Sequence, residues 1–516
     1  MQSAYKRKRL GWLRSILTDK MGVIGIAIIV FFSALAVLAP FVAPVAPNTK
    51  LAAGPWAVPS WATVFPEYAN LPPNTEALNP SIGSWAVQTI GTGVVSKVLS
   101  VSVPTPTESR YGSSTNTALE INATVGASSF PSFIPIVNLT QSFSYHYKAP
   151  YNFQFGLTNF PVVVSNLTDY YYLMSITQPN GKTFTLTSYR IMASSPVEKI
   201  SYKNGFHTGY WTSSDLSTSD PDVTNVAFQT TTVIANPGLS ILNEQGTYKF
   251  QITLYAVTST QAGHLVVQIA EPYLFVLGRQ YGLLGTDNYG QDLWSQFAFG
   301  SRISIEVGLV ASIITVFAGM LIGLIAGIFA GITDEVLMRL ADIVLTIPFV
   351  PLAIVVIFVL TQSPTLAASL YFWLVILFFL LSWPGLARII RAQTLSLKER
   401  GFIESAVALG GGRFYIIRRH LMPNVMGLVY ATLALSVPGF ILTEAALDFL
   451  FPAASNIPTW GRIVSLAYDN ASSASLYGFG WWWFIPAGLA IVVLSLAFVL
   501  LGYALDSTFN PKLRKR

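Results

Sequence analysis

Residues 404–424 read ESAVALGGGRFYIIRRHLMPN, and this stretch gathers a glutamate, three consecutive glycines, three arginines and a histidine. Apolar runs lie on both sides of it, in a chain where only 10% of residues are charged. Glu404 to Leu409 are good helix formers, and Gly410 falls where a C-cap glycine would end them. Gly411 and Gly412 allow a sharp reversal, RFYIIRRHL restarts a helix, and Pro423 precedes the next apolar run. No catalytic set is composed here. The chemistry on offer is recognition: a short polar helix held across the ends of two membrane helices can take a push from a soluble partner.

The rest of the inventory mostly excludes. Cysteine is absent, which removes disulfides, thiolate metal sites and cysteine nucleophiles together. His146, His207, His264 and His420 share no ligand spacing, so no metal centre is expected. No G-x-x-x-x-G-K-[ST] occurs, and the nearest decoy, ALGGGRFY, lacks the lysine. Within apolar runs, Glu306, Asp342 and Glu444 are functional suspects because charge there is costly. Each can also sit at a helix end, and Asp342 can pair with Arg339 three residues earlier. Thr346, Ser382, Ser436 and Thr443 read either as lining a polar path or as hydrogen bonds between helices. Pro348, Pro351, Pro384, Pro438 and Pro486 break backbone ladders and mark kinks. No Ser/His pair or twin aspartates lie within these runs, so an intramembrane enzyme is not expected.

Spanning helices must position these groups. The 516 residues are 52% hydrophobic, and the charged fraction is far below the roughly 25% of soluble domains. Apolar windows near the ~20 residues that a crossing needs recur at 22–43, 304–328, 336–360, 369–390, 426–447 and 482–505. The first exceeds the roughly 7–15 apolar residues of a signal peptide and is read as an anchor. The net charge of +6 sits beside these runs, which fits membrane orientation better than nucleic acid. Lys6, Arg7, Lys8, Arg9, Arg14 and Lys20 precede the first run, and Lys512, Arg514, Lys515 and Arg516 end the chain. Arg388, Arg391, Lys398, Arg400, Arg413, Arg418 and Arg419 crowd one loop, whereas 361–368 and 448–480 hold only Arg462. Positive-inside bias places both termini and the 391–425 loop in the cytoplasm of a multi-pass cell-membrane protein.

The expected organisation is a basic N-terminus at 1–21, a span at 22–44, an extracellular β-rich segment at 45–282, five further spans within 283–510, and a tail at 511–516. The β-rich segment carries period-two runs such as TFTLTSY (183–189), YKFQITLYAV (248–257) and HLVVQIAEPYLFV (264–276). Asn180-Gly181 between two such runs signals a hairpin. EQGTYKF (244–250) reads as the corner entering a late strand of an immunoglobulin-like sandwich, with Tyr248 as corner tyrosine. One sandwich is expected over 140–277 and a second over 50–135. Trp211 and Tyr170 to Tyr172 either line a ligand surface or fill the sandwich core. Glycosylation sequons occur at Asn122, Asn138, Asn166 and Asn470, all in segments expected outside. With the missing cysteine, they fit an archaeal surface.

At the 404–424 loop the chain resembles the permease subunits of ATP-binding-cassette importers, marked by E-A-A, three residues, G, nine residues, then I-x-L-P. Here the match is Glu404-Ser405-Ala406, Gly410 and His420-Leu421-Met422-Pro423, with Ser405 and Met422 as departures. The form with histidine looks like the dipeptide/oligopeptide class, second permease type, with a MetI-like transmembrane domain. LLGTDNYGQDLWSQFAFGSRISIEVGL (283–309) is similar to that family's L-G-T-D-x-x-G-R-D-x-x-S-R-x-x-x-G-A-R, and DEVLMRLADIVLTIPFVPLAI (334–354) to its third span. ILTEAALDFLFPAASNIPTWGRIV (441–464) resembles its T-E-A-A-L-S-F-L…P-x-W-G loop. The long insert after the first span departs from the family's short loop.

The resemblance implies a polytopic all-α membrane protein of six transmembrane helices, to which the residue patterns add a large extracellular all-β insertion, an immunoglobulin-like sandwich. It implies a coupling helix at 401–412 seated in an ATPase groove, involving Gly401, Phe402, Glu404, Ser405, Ala406, Leu409, Gly410, Gly411 and Arg413. Arg413 and Arg418 then either pair with the ATPase or simply meet lipid headgroups. A translocation path would involve Thr346, Pro348, Ser382, Ser436, Thr443 and Glu444. Implied partners are a second permease subunit, two ATP-binding subunits that hold ATP and Mg, an extracellular substrate-binding protein and membrane lipid, with no cofactor in this chain and no nucleic acid. The substrate would be an oligopeptide or an oligosaccharide. A membrane-anchored surface receptor is the competing reading, but it leaves five spans and the cytoplasmic loop without a task.

Overall fold

The computed structural model describes residues 17–49, 52–91, 93–100, 117–151, 153–192, 208–212, 238–452, 454, 456–471 and 480–509. The basic N-terminus before residue 17 and the tail from 510 lie outside them. The chain divides into two units, Met1–Thr49 with Asp292–Arg516, and Lys50–Gln291.

The first unit is helical. Its main elements are α1 (Lys20–Val42), α2 (Leu293–Phe329), α3 (Gly331–Thr346), α4 (Phe349–Thr361), α5 (Leu370–Lys398), α6 (Gly401–Ala408), α7 (Arg413–Ile416), α8 (Met422–Leu450), α9 (Trp460–Asp469) and α10 (Trp481–Phe509). Among the described residues, α1, α2, α5, the run Arg413–Leu450 and α10 are long and apolar enough to cross a membrane. The window expected at 336–360 is not one straight span. It is the pair α3 and α4, bent by 75°, and only by counting that pair as one does the number reach six. Pro348 explains the break: it caps α4 with φ −71° and ψ 118°, an extended residue that no helix passes through. Pro384, Pro438 and Pro486 stay inside α5, α8 and α10 without ending them.

A glycine stripe lets α2 and α5 approach closely. Gly319, Gly323 and Gly327 recur every four residues along one face of α2. A Cβ at these positions would come within 3.0 Å of Trp383 O, 2.5 Å of Ala387 O and 2.6 Å of the Thr394 side chain, all on α5. Hydrogen at these positions lets the two backbones meet, as small residues do between membrane helices. Similarly, Gly300 on α2 accepts the Trp460 ring and Gly461 lies against the backbone of Ala445. Trp460 is fully buried, stacks on Phe297 at 5.6 Å and donates Nε1–H to Phe297 O at 3.0 Å.

The second unit is two antiparallel sheets around one core. Its strands are β1 (Thr75–Glu76), β2 (Ala86–Thr89), β3 (Val94–Ser100), β4 (Thr117–Val125), β5 (Phe133–Tyr145), β6 (Phe153–Ser165), β7 (Asp169–Thr177), β8 (Thr183–Met192), β9 (Thr208–Thr212), β10 (Gly246–Val257) and β11 (Gly263–Val276). One sheet runs β3-β4-β11-β6-β9 with β1 beside β11, and the other runs β2-β5-β10-β7-β8. Period-two alternation sends Tyr248, Phe250, Ile252 and Leu254 of β10 inward, to meet Leu119, Ile121, Phe155 and Leu274 in the shared core.

This order corrects the immunoglobulin-like expectation. The strands β4 to β11 form the interleaved pairs β4-β11-β6-β9 and β5-β10-β7-β8, which is the two-sheet jelly roll. Alternation records which side chains face inward, not which sheet the next strand joins, and so could not separate the two architectures. Among the described residues there is no second sandwich: strands from 86–100 and 117–145 pair within these same sheets. Two local expectations are met. Gly181 takes φ +86° between β7 and β8, and the Tyr248 hydroxyl donates to Glu244 O at 2.9 Å while accepting Glu244 N–H at 3.0 Å. Tyr170 and Tyr172 are core residues rather than ligand-facing ones, and the Trp211 side chain lies outside the described ones.

The unit's two connecting segments are stitched together. Gly54 N donates to Gly278 O at 2.9 Å, Trp56 N to Asp287 O at 3.0 Å and Val58 N to Arg279 O at 2.9 Å. Thr286 Oγ1 is buried between them, donating to Gly54 O at 2.7 Å and accepting from Ala57 N at 2.8 Å.

The glycine stripe makes a test. Gly323→Leu is expected to destabilise by at least the ~1–3 kcal/mol typical of overpacking, since the obstacle is backbone. Gly385→Ala, where a Cβ meets nothing within 4 Å, should be neutral. Thermal unfolding of the two purified variants compares them.

Candidate functional site

The segment from Arg400 to Leu421 is a helix, a tight reversal and a restart. Arg400 takes extended backbone (φ −86°, ψ 138°) and its carbonyl accepts from Ile403 N at 2.9 Å, starting α6. At the other end Gly410 has φ +84°. Its N–H donates to Val407 O at 2.9 Å, and Gly411 N–H donates to Ala406 O at 2.9 Å. That pair of bonds with a left-handed residue between is the Schellman closure, which favours glycine because a side chain there is strained. Gly411 is needed for a second reason: a Cβ would lie 2.7 Å from Ala406 O. The three glycines therefore divide the work, with Gly412 capping α7. From Ile417 to Leu421 the chain winds as a π-helix before entering α8.

The burial of α6 is one-sided. Ile403 is 2% exposed and joins the core of Ile390, Leu397, Ile416, Ile417 and Leu421. Around the rest of the helix and its C-cap, Leu409 is 88% exposed, Val407 55% and Phe402 43%. Phe402 and Leu409, with Ser405, Ala406, Gly410 to Gly412, Tyr415 and His420, border an open groove of ≈ 600 Å³. The His420 ring lies 5.7 Å from Tyr415 and 6.3 Å from Phe402. Glu404 and Gly401 are exposed, and Ser405 Oγ donates back to Gly401 O at 2.8 Å. Arg413 is turned to its own fold, with its guanidinium 5.0 Å over the Phe329 ring at the end of α2. Arg418 and Arg419 are exposed.

Two ion pairs tie the bent segment to α5. Arg391 grips Asp334 with a fork, Nε and Nη2 each donating at 2.5 Å, and Arg388 donates to Asp342. The Arg339–Asp342 pairing that the sequence allows is not made; Arg339 lies 3.5 Å from Glu335 instead. A signal for the interhelical pairs was available, namely opposite charges near the ends of neighbouring apolar runs.

The residues expected along a path do not converge. Thr346 and Pro348 are exposed at the α3–α4 break, with the Thr346 hydroxyl donating to Ile343 O at 2.7 Å. Ser382 is exposed, whereas Ser436 and Thr443 are half-buried and donate within α8, to Thr432 O and Gly439 O respectively. Glu444 is completely buried and accepts from Ser304 of α2 at 3.2 Å, so it faces helix packing rather than an open path. Glu306 is exposed. Sequence reasoning missed the neighbours of Glu444, which are Asp448 and, through it, Tyr371 and Thr459. The four-residue spacing of Glu444 and Asp448 was the readable signal.

Among the sequons, Asn122 is exposed on β4 with Oδ1 2.8 Å from His264 Nε2, and Asn166 is exposed with φ +51°. Asn138 and Asn470 are half-buried. Among the described residues no three His, Cys, Asp or Glu side chains gather as a metal site.

Comparison with known proteins adds the following. A family model described as "Binding-protein-dependent transport system inner membrane component" matches residues 319–515, and one described as "N-terminal TM domain of oligopeptide transport permease C" matches residues 11–73. The oligopeptide transport system permease protein OppC of Bacillus subtilis is 33% identical over 45% of this chain and 72% of its own length. OppC of Haemophilus influenzae is 36% identical over 45% and 71% respectively. The dipeptide transport system permease protein DppC of Bacillus subtilis is 32% identical over 45% and 69%. These relatives are bacterial, and they give no support to an archaeal source.

The reversal after α6 is testable by itself. Gly410→Ala should cost about 1–2 kcal/mol through its left-handed backbone alone, and Gly411→Ala should do so by steric contact with Ala406. Hydrogen exchange is the check: amide protection across 401–409 should fall in both variants and persist in Gly401→Ala, where a Cβ meets nothing within 4 Å.

Proposed function

This chain belongs to the inner-membrane components of binding-protein-dependent transport systems, as a MetI-type permease of the oligopeptide group, and we propose that α6 is the helix through which separate ATPase subunits drive it. The carrying observation is the contrast around that helix: Ile403 is locked into the core while Phe402 and Leu409 are exposed beside a groove. An apolar face of that size on a short charged-loop helix is matched to a protein partner rather than to water.

On this reading the chain forms half of a membrane path beside a second permease subunit. Two ATP-binding subunits hold ATP and Mg²⁺ and push on α6, and an external binding protein delivers the substrate. The names of the relatives support peptides as the substrate class, and no observation favours oligosaccharides. The basic residues near α6, from Arg388 to Arg419, support a cytoplasmic position for this end. Both termini then lie in the cytoplasm and the jelly-roll unit lies outside, where it docks or spaces the binding protein and where the exposed Asn122 and Asn166 would be open to glycosylation. Energy from nucleotide binding reaches the path only through contacts that differ between its inward- and outward-facing states. Glu404 and the Gly410–Gly412 reversal hold the shape of the contact, and the packing of Phe329, Phe414 and Arg413 passes it to α2.

In reconstituted complexes, Leu409→Asp should reduce peptide uptake by about tenfold or more, the effect of losing roughly 1.4 kcal/mol at one contact. The permease itself should keep its unfolding temperature. Full uptake by this variant would overturn the coupling assignment. Deleting 50–278 should spoil uptake yet leave the complex assembled on copurification, and intact transport would exclude a docking role for the outer unit.

A further inference from the structure

Glu444 and Asp448 lie one turn apart on α8, and both are buried, Glu444 completely. Three other segments bring groups to them. Ser304 of α2 donates to Glu444 Oε2 at 3.2 Å, Tyr371 of α5 donates to Asp448 Oδ2 at 3.2 Å, and Thr459 donates to the same Oδ2 at 2.5 Å. Arg462 in the first turn of α9 stands near enough to act electrostatically on Asp448, while its Nε is committed to Pro452 O at 2.9 Å. Glu444 has no such cation among the described residues, and its Oε1 is buried without a hydrogen-bond partner. The two carboxyl groups face one another across the turn.

The charges do not balance. Two carboxylates against one guanidinium leave a negative charge inside a packed bundle, where an unpaired charge is costly and is either neutralised or matched. A carboxylate oxygen with no donor adds its own desolvation cost. We propose that Glu444 and Asp448 bind one monovalent cation, a proton or an alkali ion, at the free Oε1 of Glu444. The bound charge then fastens α8 to α2, α5 and α9. Both sources offer the same chemistry, a single positive charge accepted between two carboxyl groups whose other oxygens are already held by hydroxyls.

The titratable or charged groups facing the pair are Tyr371 from α5 and Arg462 from α9, with neutral hydroxyls from α2 and from the cap of α9. The last helix packs on α8 as well, but Gly502 meets Ala434 and Leu435 there, so its Tyr503 and Asp506 belong to a level more than two turns away. Occupancy of this site follows from the buried charge alone, whatever the permease carries.

The test is thermal unfolding of the complete purified complex, in sodium chloride and in choline chloride of equal ionic strength, from mildly acidic to mildly alkaline pH. An alkali ion raises the midpoint in sodium by about 3 °C or more at fixed pH. A proton instead makes the midpoint fall toward alkaline pH in choline, with no response to sodium. Glu444→Gln, which keeps the shape and removes the charge, should abolish whichever response is seen. Where that variant fails to assemble, Asp448→Asn takes its place, with the same loss of response expected. A wild-type complex indifferent to both sodium and pH overturns the proposal, as does a variant complex that keeps the wild-type response.

Discussion

Everything else in the helical unit depends on how closely α2 and α5 can approach. Gly319, Gly323 and Gly327 remove the side chains that would hold the two backbones apart, and the gaps a Cβ would find there are as small as 2.5 Å. In a bilayer, lipid tails solvate apolar side chains as well as other helices do, so helices associate through close packing and hydrogen bonds rather than by escape from water. The contact fixes the direction of α5, and α5 in turn carries Arg388 and Arg391 to the carboxylates of α3. It also delivers the chain at Arg400, where α6 begins. A helix that must receive force needs a firm base, and here the base is three glycines without side chains.

Ion pairs work differently on the two sides of this arrangement. The fork between Arg391 and Asp334 is partly buried, bidentate and made between different helices by residues 57 positions apart, the geometry in which charge pairs contribute most. Arg339 with Glu335 is an exposed pair within one helix, and such pairs add about 0.3–0.5 kcal/mol at best. The bent segment α3–α4 is thus held by its interhelical pairs at one end and released by Pro348 in its middle.

Much of this is legible in the sequence because the governing signals are local. The Gly410 cap, the Asn180-Gly181 turn and the Tyr248 corner each depend on residues within four or five positions, and each is found. The spans at 22–43, 369–390 and 426–447 follow from apolar length alone. What escapes depends on distant pairing. A proline such as Pro348 signals a kink within one span, but the angle it produces is set by what the two halves pack against. Strand alternation marks the inward faces of β10 and β11 yet is blind to strand order, and a jelly roll and an immunoglobulin-like sandwich share the same alternation. The spacing of Asp448 from Glu444 is readable, but its partners Tyr371 and Thr459 are hidden for the same reason, because they come from other segments.

The stitched connectors of the jelly-roll unit carry a consequence for the helices. Because Gly54, Trp56 and Val58 are bonded directly to Gly278, Asp287 and Arg279, the polypeptide enters and leaves that unit at nearly one place. Entropically, the bundle is then joined by a brief hairpin and not by a tether the length of the whole unit, since the penalty for closing a ring counts only its unconstrained links. A whole extra module can therefore be inserted there at little chain-entropy cost to its host.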